Sequence, residues 1–530
     1  MHMYSVVGLC RLGIRLLTLA TLALVVKPAF AQCTLNQTDP SVTICSPTTG
    51  STADSPVHIV AGTTSSRTVT RMDIFVDGVK KFVLKAPTID TYIPMTAASH
   101  TVTVHGYNTA GQTFQKSVSV TAQVPAVSQT IDPTKIKHVI FMLQENRSLD
   151  NYLGRMNKYR TDRGLPANFD GLPLNVALLD NAGNTVSPYH LQTVCTDNTT
   201  PAWNESHAFY DFMNMDRFMI TNARSMVSTN DPNGQRAMGY YDWTDLPYYY
   251  ALAHNFGTSD QFFSSGMMPT IPNRMYMFAA TSFGHIRPDT PPSGGWTQPN
   301  IFAKLTAAHI PWRYYYQDNS VFLGQWSNWN TGDNTKVWKI ANFFNDIQNP
   351  NTLPSVIFIE RAGQIGLDEH PMNNIQKGAA SVANIINSLM ASPSWATSVF
   401  ILGFDEAGGL YDHVPPRPMV KPDNIPPMLR TNPPDAPGDF ATSGFRVPFI
   451  VVSPWSKPNY VSHVTRDFTS ILKLIEVRFG IAPLSARDAA ADDLGEFFDF
   501  SSPHWLTPPA LPAQPTTGLC DKTKEKAPGF

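Results

Sequence analysis

Four short apolar runs constrain the fold of this chain more than any other feature of its sequence. They span residues 139–143, 356–359, 399–404 and 449–452. Strands with apolar side chains on both faces lie inside a sheet that is covered on both sides. Apolar residues recur at helical spacing after the second run and again after the fourth, which indicates helices packed on that sheet. The pattern predicts an α/β domain over residues 136–501, with helices on both faces of its sheet.

Polar residues stand where two of these runs end. Glu145 and Asn146 come just after the first run, and Asp405 and Glu406 follow the third run directly. The carboxyl ends of parallel strands form the binding crevice of such a sheet, so residues distant in sequence meet there. One acid at a strand end is usually a helix cap or a surface residue. Two such ends favour a shared divalent cation, because crowded carboxylates otherwise repel each other, and we therefore predict a metal-centred hydrolytic site.

The residues before this domain have a different pattern of apolar and polar residues. Residues 41–123 consist of short alternating runs separated by turns, and Asp77-Gly78 is a strong hairpin signal. This pattern predicts a small all-β sandwich of the immunoglobulin-like type. It contains no cluster of acids, histidines or cysteines, so the sequence favours a role as a spacer or weak adhesion module. Residues 124–135 are the predicted linker, and residues 502–530 are a proline-rich C-terminal tail.

The first residues resemble an export signal. Arg11 and Arg15 precede an apolar stretch over residues 16–26, and Ala29-Phe30-Ala31 is a small-residue cleavage pattern. We predict a Sec-type signal peptide over residues 1–31, with cleavage after Ala31, and a secreted or periplasmic protein. The alternative is a membrane anchor, but the apolar stretch is shorter than the roughly 20 residues that span a bilayer.

Cysteines and charge restrict the remaining function classes. Cys33, Cys45, Cys195 and Cys520 remain after cleavage, and four cysteines allow three pairings. We favour Cys33 with Cys45 and Cys195 with Cys520. The absence of CxxC spacing argues against a zinc knuckle. The net charge is -2 and no lysine or arginine run stands out, which argues against a nucleic-acid partner. No stable protein partner is indicated.

Six blocks of sequence, in order, carry a family resemblance. They are residues 137–154, 238–265, 269–276, 368–371, 404–416, and 453–455 together with 467–480. These blocks resemble the bacterial phosphoesterase family, which includes secreted phospholipases C and certain acid phosphatases. The resemblance covers about residues 136–501 and implies an alkaline-phosphatase-like sheet covered by helices.

The resemblance also implies a set of site residues. It implies that Glu145, Asn146, Asp405 and Glu406 hold one divalent metal ion, and that Thr270 is the nucleophile and a further metal ligand. The segment 270–274 is similar to the nucleophile motif of sulfatases, but threonine lacks the thiol or primary alcohol that those enzymes convert, which favours phosphoryl transfer. The oxygen ligands suit Mg, Ca or Mn, and an added histidine would admit Zn or Fe.

Other residues match family positions near the phosphate. His370 and His207 are expected to stabilise developing charge or to protonate the leaving alcohol. Arg274, Asp412 and His413 are expected to contact substrate or to brace the site. Two departures from the family pattern, Ala407 in place of a common histidine and Phe468 within a common Asp-His-Thr-Ser block, touch none of the proposed metal ligands.

The substrate is open at this point. The expected partner is a phospholipid, with transient contact with a membrane surface, or a small phosphate ester. Phospholipase C is favoured, acid phosphatase is the alternative, and an inactive cell-surface binding protein is a third interpretation. Aromatic residues in the middle of the chain are interpreted either as a substrate rim or as core, namely Trp203, Phe209, Tyr210, Tyr240, Tyr241 and Tyr248 to Tyr250.

Overall fold

Two facing sheets form the N-terminal part of the computed structural model, which describes residues 34–123, 130–319 and 321–529. The strands are β1 (Ser41–Ser46), β2 (Ser51–Asp54), β3 (Val57–Thr64), β4 (Val69–Val76), β5 (Val79–Leu84), β6 (Thr88–Ile93), β7 (Ala98–Asn108) and β8 (Thr113–Gln123). One sheet has the order β1-β3-β6 and the other β2-β8-β7-β4-β5. Asp77 and Gly78 turn the β4–β5 hairpin with positive φ angles of 51° and 79°. The predicted sandwich is confirmed, whereas the predicted signal peptide and Cys33 lie outside the described residues.

A second, larger sheet occupies the centre of the following domain. The remaining strands are β9 (His138–Gln144), β10 (Leu178–Leu179), β11 (Thr185–Val186), β12 (Tyr189–His190), β13 (Gly239–Tyr240), β14 (Gly257–Ser259), β15 (Trp312–Tyr316), β16 (Val337–Lys339), β17 (Val356–Ile359), β18 (Ser398–Phe404), β19 (Phe449–Val452) and β20 (Val461–Ser462). The large sheet has the order β16-β15-β17-β9-β18-β19-β14-β20. The four apolar runs are therefore its contiguous central strands β17, β9, β18 and β19, as predicted.

The sheet is mixed rather than wholly parallel. β17, β9 and β18 are parallel neighbours, whereas β19 is antiparallel to β18. An antiparallel neighbour needs no crossover helix, and residues 405–448 accordingly contain no helix among the described residues. Residues 414–438 form no helix and no regular strand.

Eleven α-helices are found among the described residues. They are α1 (Leu149–Leu153), α2 (Met156–Thr161), α3 (Trp203–Tyr210), α4 (Phe218–Ser225), α5 (Pro247–Asn255), α6 (Thr270–Ala279), α7 (Ile301–Ala307), α8 (Ile340–Asp346), α9 (Ile375–Met390), α10 (Thr469–Phe479) and α11 (Ala486–Ala490). The predicted helices are α9, capped by the side chain of Asn374, and α10, which ends at Gly480 with a φ of 68°. In the described part of the chain, no helix has the length and apolar character needed to cross a bilayer.

The C-terminal segment is fastened to the phosphoesterase-like domain. Cys195 and Cys520 form the predicted disulfide, with Cα atoms 4.9 Å apart. The Val194 amide donates to the Leu519 carbonyl at 2.8 Å. Glu525 is fully buried and accepts a hydrogen bond from the Ser228 hydroxyl at 2.8 Å. Residues 518–527 therefore pack on the domain that precedes them.

Candidate active site

The ends of β9 and β18 bring the four predicted metal ligands together. Gln144 and Phe404 are paired at the last position of the parallel ladder, so Glu145-Asn146 and Asp405-Glu406 leave the sheet side by side. The Asn146 amide donates to Asp405 Oδ1 at 3.1 Å. All four side chains are buried.

Two glycines allow these loops to approach each other. Gly408 has a φ of 69°, and a Cβ atom at this position would lie 2.5 Å from the Asn146 carbonyl oxygen. Gly409 has a φ of 74°, and its Cβ would lie 2.4 Å from the Thr200 carbonyl oxygen. Both positions require glycine for its conformation and for its lack of a side chain.

A third strand end also contributes charged residues. Glu360 and Arg361 follow β17, the parallel neighbour of β9, and Glu360 is fully buried. Sequence reasoning missed both residues, although β17 was predicted as a central strand and its first two following residues are charged. Applying the strand-end argument to every central strand would have found them.

Arg274 connects these strand ends to α6. Its Nη1 lies 2.9 Å from Glu360 Oε1, its Nε 3.3 Å from Asp405 Oδ2 and its Nη2 3.5 Å from Glu145 Oε1. Arg361 forms further ion pairs with Glu145 and Glu360. Buried ion pairs are costly to break because the remaining charge has no partner. The guanidinium of Arg274 therefore holds α6 against the carboxyl edge of the sheet.

The electrostatics of the cluster fit a bound cation. Burial raises the pKa of Glu145 to about 8 despite the attraction of Arg361, and burial together with Asp405 raises the pKa of Glu406 well above its usual range. Asn146 Oδ1 and Glu406 Oε1 are buried and have no hydrogen-bond partner among the described residues. A hard divalent cation would satisfy these oxygens and would favour the ionised carboxylates. The residues present thus match the chemistry of an oxygen-ligated metal site.

Thr270 begins α6 on the same side as Arg274. Residues four apart lie one above the other on a helix face, so the half-buried Thr270 is one turn from the guanidinium that contacts Asp405. Its backbone lies in the first turn, where amide groups lack helical acceptors and favour anions. The Asn273 side chain donates to the Met268 carbonyl at 2.6 Å and fixes the loop that leads into the helix.

His207 lies in α3 and lines a cavity of about 660 Å³. Its Nδ1 donates to the Trp203 carbonyl at 2.7 Å, which leaves Nε2 as the acceptor nitrogen. Burial lowers the pKa of His207, so the ring is neutral near pH 7. Other residues around this cavity include Tyr210, Phe212 and Met267, the last only three positions before Thr270.

His370 approaches the site from the loop after β17. Its Nδ1 donates to the Pro371 carbonyl at 2.7 Å, and its amide donates to Asp368 Oδ1 at 3.2 Å. The Asp368 carbonyl in turn accepts a hydrogen bond from the Glu145 amide at 2.9 Å. The loop that carries His370 is therefore bonded to a strand end that carries a proposed metal ligand.

Asp412 and His413 lie in a separate buried network. His413 donates from Nδ1 to Asp150 Oδ2 at 2.7 Å and from Nε2 to Asp170 Oδ1 at 3.0 Å. Burial acts to lower the pKa of His413, but Asp150 and Asp170 raise it to about 9. Asp150, Asp412 and His413 have spacing compatible with a metal ion. Arg446 already pairs with Asp150 at 3.0 Å and with Asp412 at 2.9 Å, which makes this group an ion-pair network.

Most of the aromatic residues that were interpreted as a substrate rim belong to the core. Trp203, Phe209, Tyr241 and Tyr248 to Tyr250 are buried, and only Tyr210 and Tyr240 are partly exposed. The core interpretation is correct for these six, which belong to the buried apolar clusters of the chain. Of the eight, Tyr210 lines the cavity of His207. The Trp203 ring packs against the His207 ring at a centroid distance of 4.2 Å.

Comparison with known proteins finds a family match for each of the two domains. Residues 136–482 match the Phosphoesterase family, and residues 40–104 match a bacterial Ig domain. Phospholipase C B of Mycobacterium tuberculosis is 30% identical over 70% of this chain and 79% of that protein. Hemolytic phospholipase C of Pseudomonas aeruginosa is 31% identical over 69% of this chain and 56% of its own length. A solved structure in the alkaline phosphatase superfamily from Vibrio parahaemolyticus aligns with 67% of this chain and 70% of its own, at 10% identity and a TM-score of 0.34.

The family match over residues 136–482 and the phospholipase C relatives identify a hydrolase that acts on phosphoric ester bonds. More particularly, this chain belongs to the Phosphoesterase family. The predicted order of an α/β domain after an immunoglobulin-like sandwich is confirmed.

Proposed function

We propose that this protein is a secreted, metal-dependent phospholipase C that acts through a phosphothreonine intermediate on Thr270. The observation that carries the proposal is the pair of buried oxygens without partners, Asn146 Oδ1 and Glu406 Oε1, at strand ends that Arg274 ties to the Thr270 helix. Glu145, Asn146, Asp405, Glu406 and the Thr270 hydroxyl would hold one divalent ion. When bound, this ion would neutralise phosphate oxygens and lower the pKa of the Thr270 hydroxyl.

The chemistry assigned to the protein's own residues has two halves. The Thr270 hydroxyl loses its proton to solvent, and its Oγ bonds to phosphorus while the bond from phosphorus to the alcohol oxygen breaks. His370 donates a proton to the departing alcohol. Water then attacks the phosphorus and gives a proton to a histidine while the bond from phosphorus to Thr270 Oγ breaks. The phosphate product leaves, and Thr270 Oγ takes a proton from solvent, which restores the hydroxyl. The amide groups of the first turn of α6 face developing negative charge, which such groups stabilise.

His207 suits a different step from that of His370. Its lowered pKa keeps the ring neutral, and the Trp203 carbonyl fixes the proton on Nδ1. A neutral ring with a free Nε2 accepts protons, so we assign His207 to the water that attacks in the second half. This assignment divides the acid and base work between two residues.

The cavity beside His207 supports a phospholipid over a small phosphate ester. A volume of about 660 Å³ is within the range of pockets that enclose whole small molecules, and it exceeds the needs of a phosphate group alone. Phe212 stands at this cavity and is 87% exposed, which suits transient contact with a lipid surface. The named relatives are phospholipases C.

The test compares two substrates and two variants. Purified protein is assayed with phosphatidylcholine vesicles and with a chromogenic phosphate monoester, with and without a chelator. We expect metal-dependent release of diacylglycerol and slow monoester hydrolysis. Preference for the monoester would identify an acid phosphatase instead, and failure to hydrolyse either substrate with metal present would remove the enzymatic proposal.

Thr270→Ala tests the covalent step. We expect its activity to fall by at least about three orders of magnitude, whereas Thr221→Ala, a half-buried threonine in α4, should keep the parental rate. After an acid quench of the parental protein, mass spectrometry should find the phosphoryl group on the peptide that contains Thr270. Near-parental turnover by Thr270→Ala would require a mechanism without this intermediate.

A further inference from the structure

The immunoglobulin-like sandwich and the phosphoesterase domain share one buried apolar cluster. From the sandwich it includes Phe82 and Leu84, and from the phosphoesterase domain it includes Leu172, Ala407 and Phe445. Domains that are only tethered have small, polar interfaces and move relative to each other. Here the interface is instead a continuous buried apolar cluster, so the sandwich packs firmly against the phosphoesterase domain.

A buried hydrogen bond crosses this interface at Thr91. The Thr91 hydroxyl, on β6, donates to Asp170 Oδ2 at 2.8 Å. The same oxygen accepts from Gln261 Nε2 at 3.2 Å, and both Thr91 and Asp170 are buried. Burial alone would raise the pKa of Asp170, but His413, Arg446 and Thr91 lower it below its usual range, so the carboxylate is ionised. Removing one donor from a buried carboxylate costs more than removing a donor from an exposed one.

Asp170 is also connected, through His413, to the loops of the candidate active site. Its Oδ1 accepts from His413 Nε2 at 3.0 Å, and the other nitrogen of His413 donates to Asp150 at 2.7 Å. Asp150 lies in α1, four positions after Asn146, whereas His413 lies in the loop that begins with Asp405 and Glu406. A chain of direct bonds therefore runs from the sandwich to both loops that carry the proposed metal ligands.

Tyr92, next to Thr91 in β6, makes a second set of contacts between the two domains. Its ring stacks on His463 of the phosphoesterase domain at a centroid distance of 3.9 Å and on His58 of the sandwich at 4.5 Å. The Tyr92 carbonyl accepts from Arg417 Nη2 at 3.0 Å. His463 is held by Asp260 at 2.8 Å, and Asp260 accepts from the Asp170 amide at 2.7 Å. The contacts of Thr91 and those of Tyr92 thus both lead to Asp170.

We propose that the sandwich is a structural part of the active site and that Thr91 is a positioning residue for the metal-binding loops. The Thr91 hydroxyl orients Asp170, and Asp170 together with Asp150 orients His413. Neither Thr91 nor any other sandwich residue takes part in bond making. The kinetic consequence rests on the proposed function, whereas the consequence for loop order does not.

The test removes the hydroxyl without changing the shape of the side chain. Thr91→Val is isosteric and cannot donate, Thr91→Ser keeps the donor, and Thr121→Val changes an exposed threonine on β8 of the same sandwich. Hydrogen exchange is followed in peptides that cover residues 145–155 and 405–414, and phosphatidylcholine turnover is measured in parallel. Thr91→Ala replaces the valine variant if that variant is not recovered as folded protein.

We expect faster exchange in both peptides and a roughly tenfold or larger loss of kcat in Thr91→Val, with KM nearly unchanged. Thr91→Ser should recover both properties, and Thr121→Val should match the parent. Unchanged exchange and unchanged kcat in Thr91→Val would overturn the proposal and leave the sandwich as a spacer. Altered exchange in a protein whose parent hydrolyses no phosphate ester would support the positioning role while refuting the proposed function.

Discussion

Arg274 Nη1 and Glu360 Oε1 lie 2.9 Å apart, and this fully buried ion pair fastens the start of α6 to the end of β17. The same guanidinium reaches Asp405 and Glu145 at the two neighbouring strand ends. A single side chain therefore sets the distance between α6 and the carboxylates. The geometry of the site depends on a fork-shaped cation that can contact three acids at once.

Arg274→Lys should keep the positive charge but lose the planar guanidinium with its several donors. A lysine ammonium cannot contact Glu145, Glu360 and Asp405 together, so α6 should shift relative to the strand ends. We expect kcat to fall about 100-fold and the free energy of unfolding to fall by about 3 kcal/mol. Steady-state kinetics and urea denaturation measure the two effects. Arg224→Lys, an exposed change in α4, is the matched control, and equal behaviour of the two variants would contradict this role of Arg274.

Glu406→Gln should separate metal binding from folding. Without metal, burial and Asp405 raise the pKa of Glu406, so a neutral side chain should stabilise the metal-free protein by about 1 kcal/mol. With metal present, the variant should bind the ion at least about tenfold more weakly. Elemental analysis and the shift of Tm on adding metal check both statements. Glu205→Gln in α3 serves as the control, and a variant that binds metal as the parent does would exclude Glu406 as a ligand.

Stability should fall as the pH rises from about 6.5 to 9, because of His413. The pKa of His413 is about 9 in the folded protein, against roughly 6.5 in an unfolded chain. The folded state therefore binds more protons in this range, so the stabilisation is fully present below pH 6.5 and is lost as the pH approaches 9. The loss should be on the order of 3 kcal/mol.

Urea midpoints measured across this pH range test the statement. His413→Gln should abolish most of the slope and should be less stable at pH 6 than the parent. His504→Gln, at a partly exposed histidine of the C-terminal segment, should leave the slope unchanged. A slope of equal size in the parent and in His413→Gln would assign it to other groups.

Opening the Cys195–Cys520 disulfide should destabilise the protein without abolishing catalysis. The bond links positions 325 residues apart, and loss of a native disulfide typically costs about 2–5 kcal/mol. Cys195→Ser with Cys520→Ser should therefore lower Tm, while kcat at 25 °C should stay within about twofold because the disulfide fastens the C-terminal segment and not the strand ends. Calorimetry and kinetics of the double variant, beside the parent with and without reductant, provide the check.

The sequence predicted the centre of the sheet well because strands buried on both faces leave an unambiguous apolar signal. The same signal led to Glu145, Asn146, Asp405 and Glu406, whose positions follow from strand ends. It did not lead to Arg274 as the link between three acids, because contacts made from a helix onto a sheet edge depend on packing and not on local pattern.

Two other features were beyond sequence reasoning for a different reason. The direction of β19 depends on the path of residues 405–448, which carry no periodic pattern. The contact between Thr91 and Asp170 joins residues 79 positions apart in different domains. A buried threonine in an alternating strand looks like any other, so composition alone favoured a spacer.

Because of the shared apolar cluster, the boundary of the family match and the boundary of the cooperative folding unit should differ. The Phosphoesterase match begins at residue 136, which places a domain boundary there by sequence similarity. Cooperative unfolding should not divide the protein there, because a shortened chain starting at residue 130 would expose Leu172, Ala407 and Phe445 to water and remove the Thr91 donor from Asp170. The segment inherited as a family unit is thus smaller than the segment that folds as a unit.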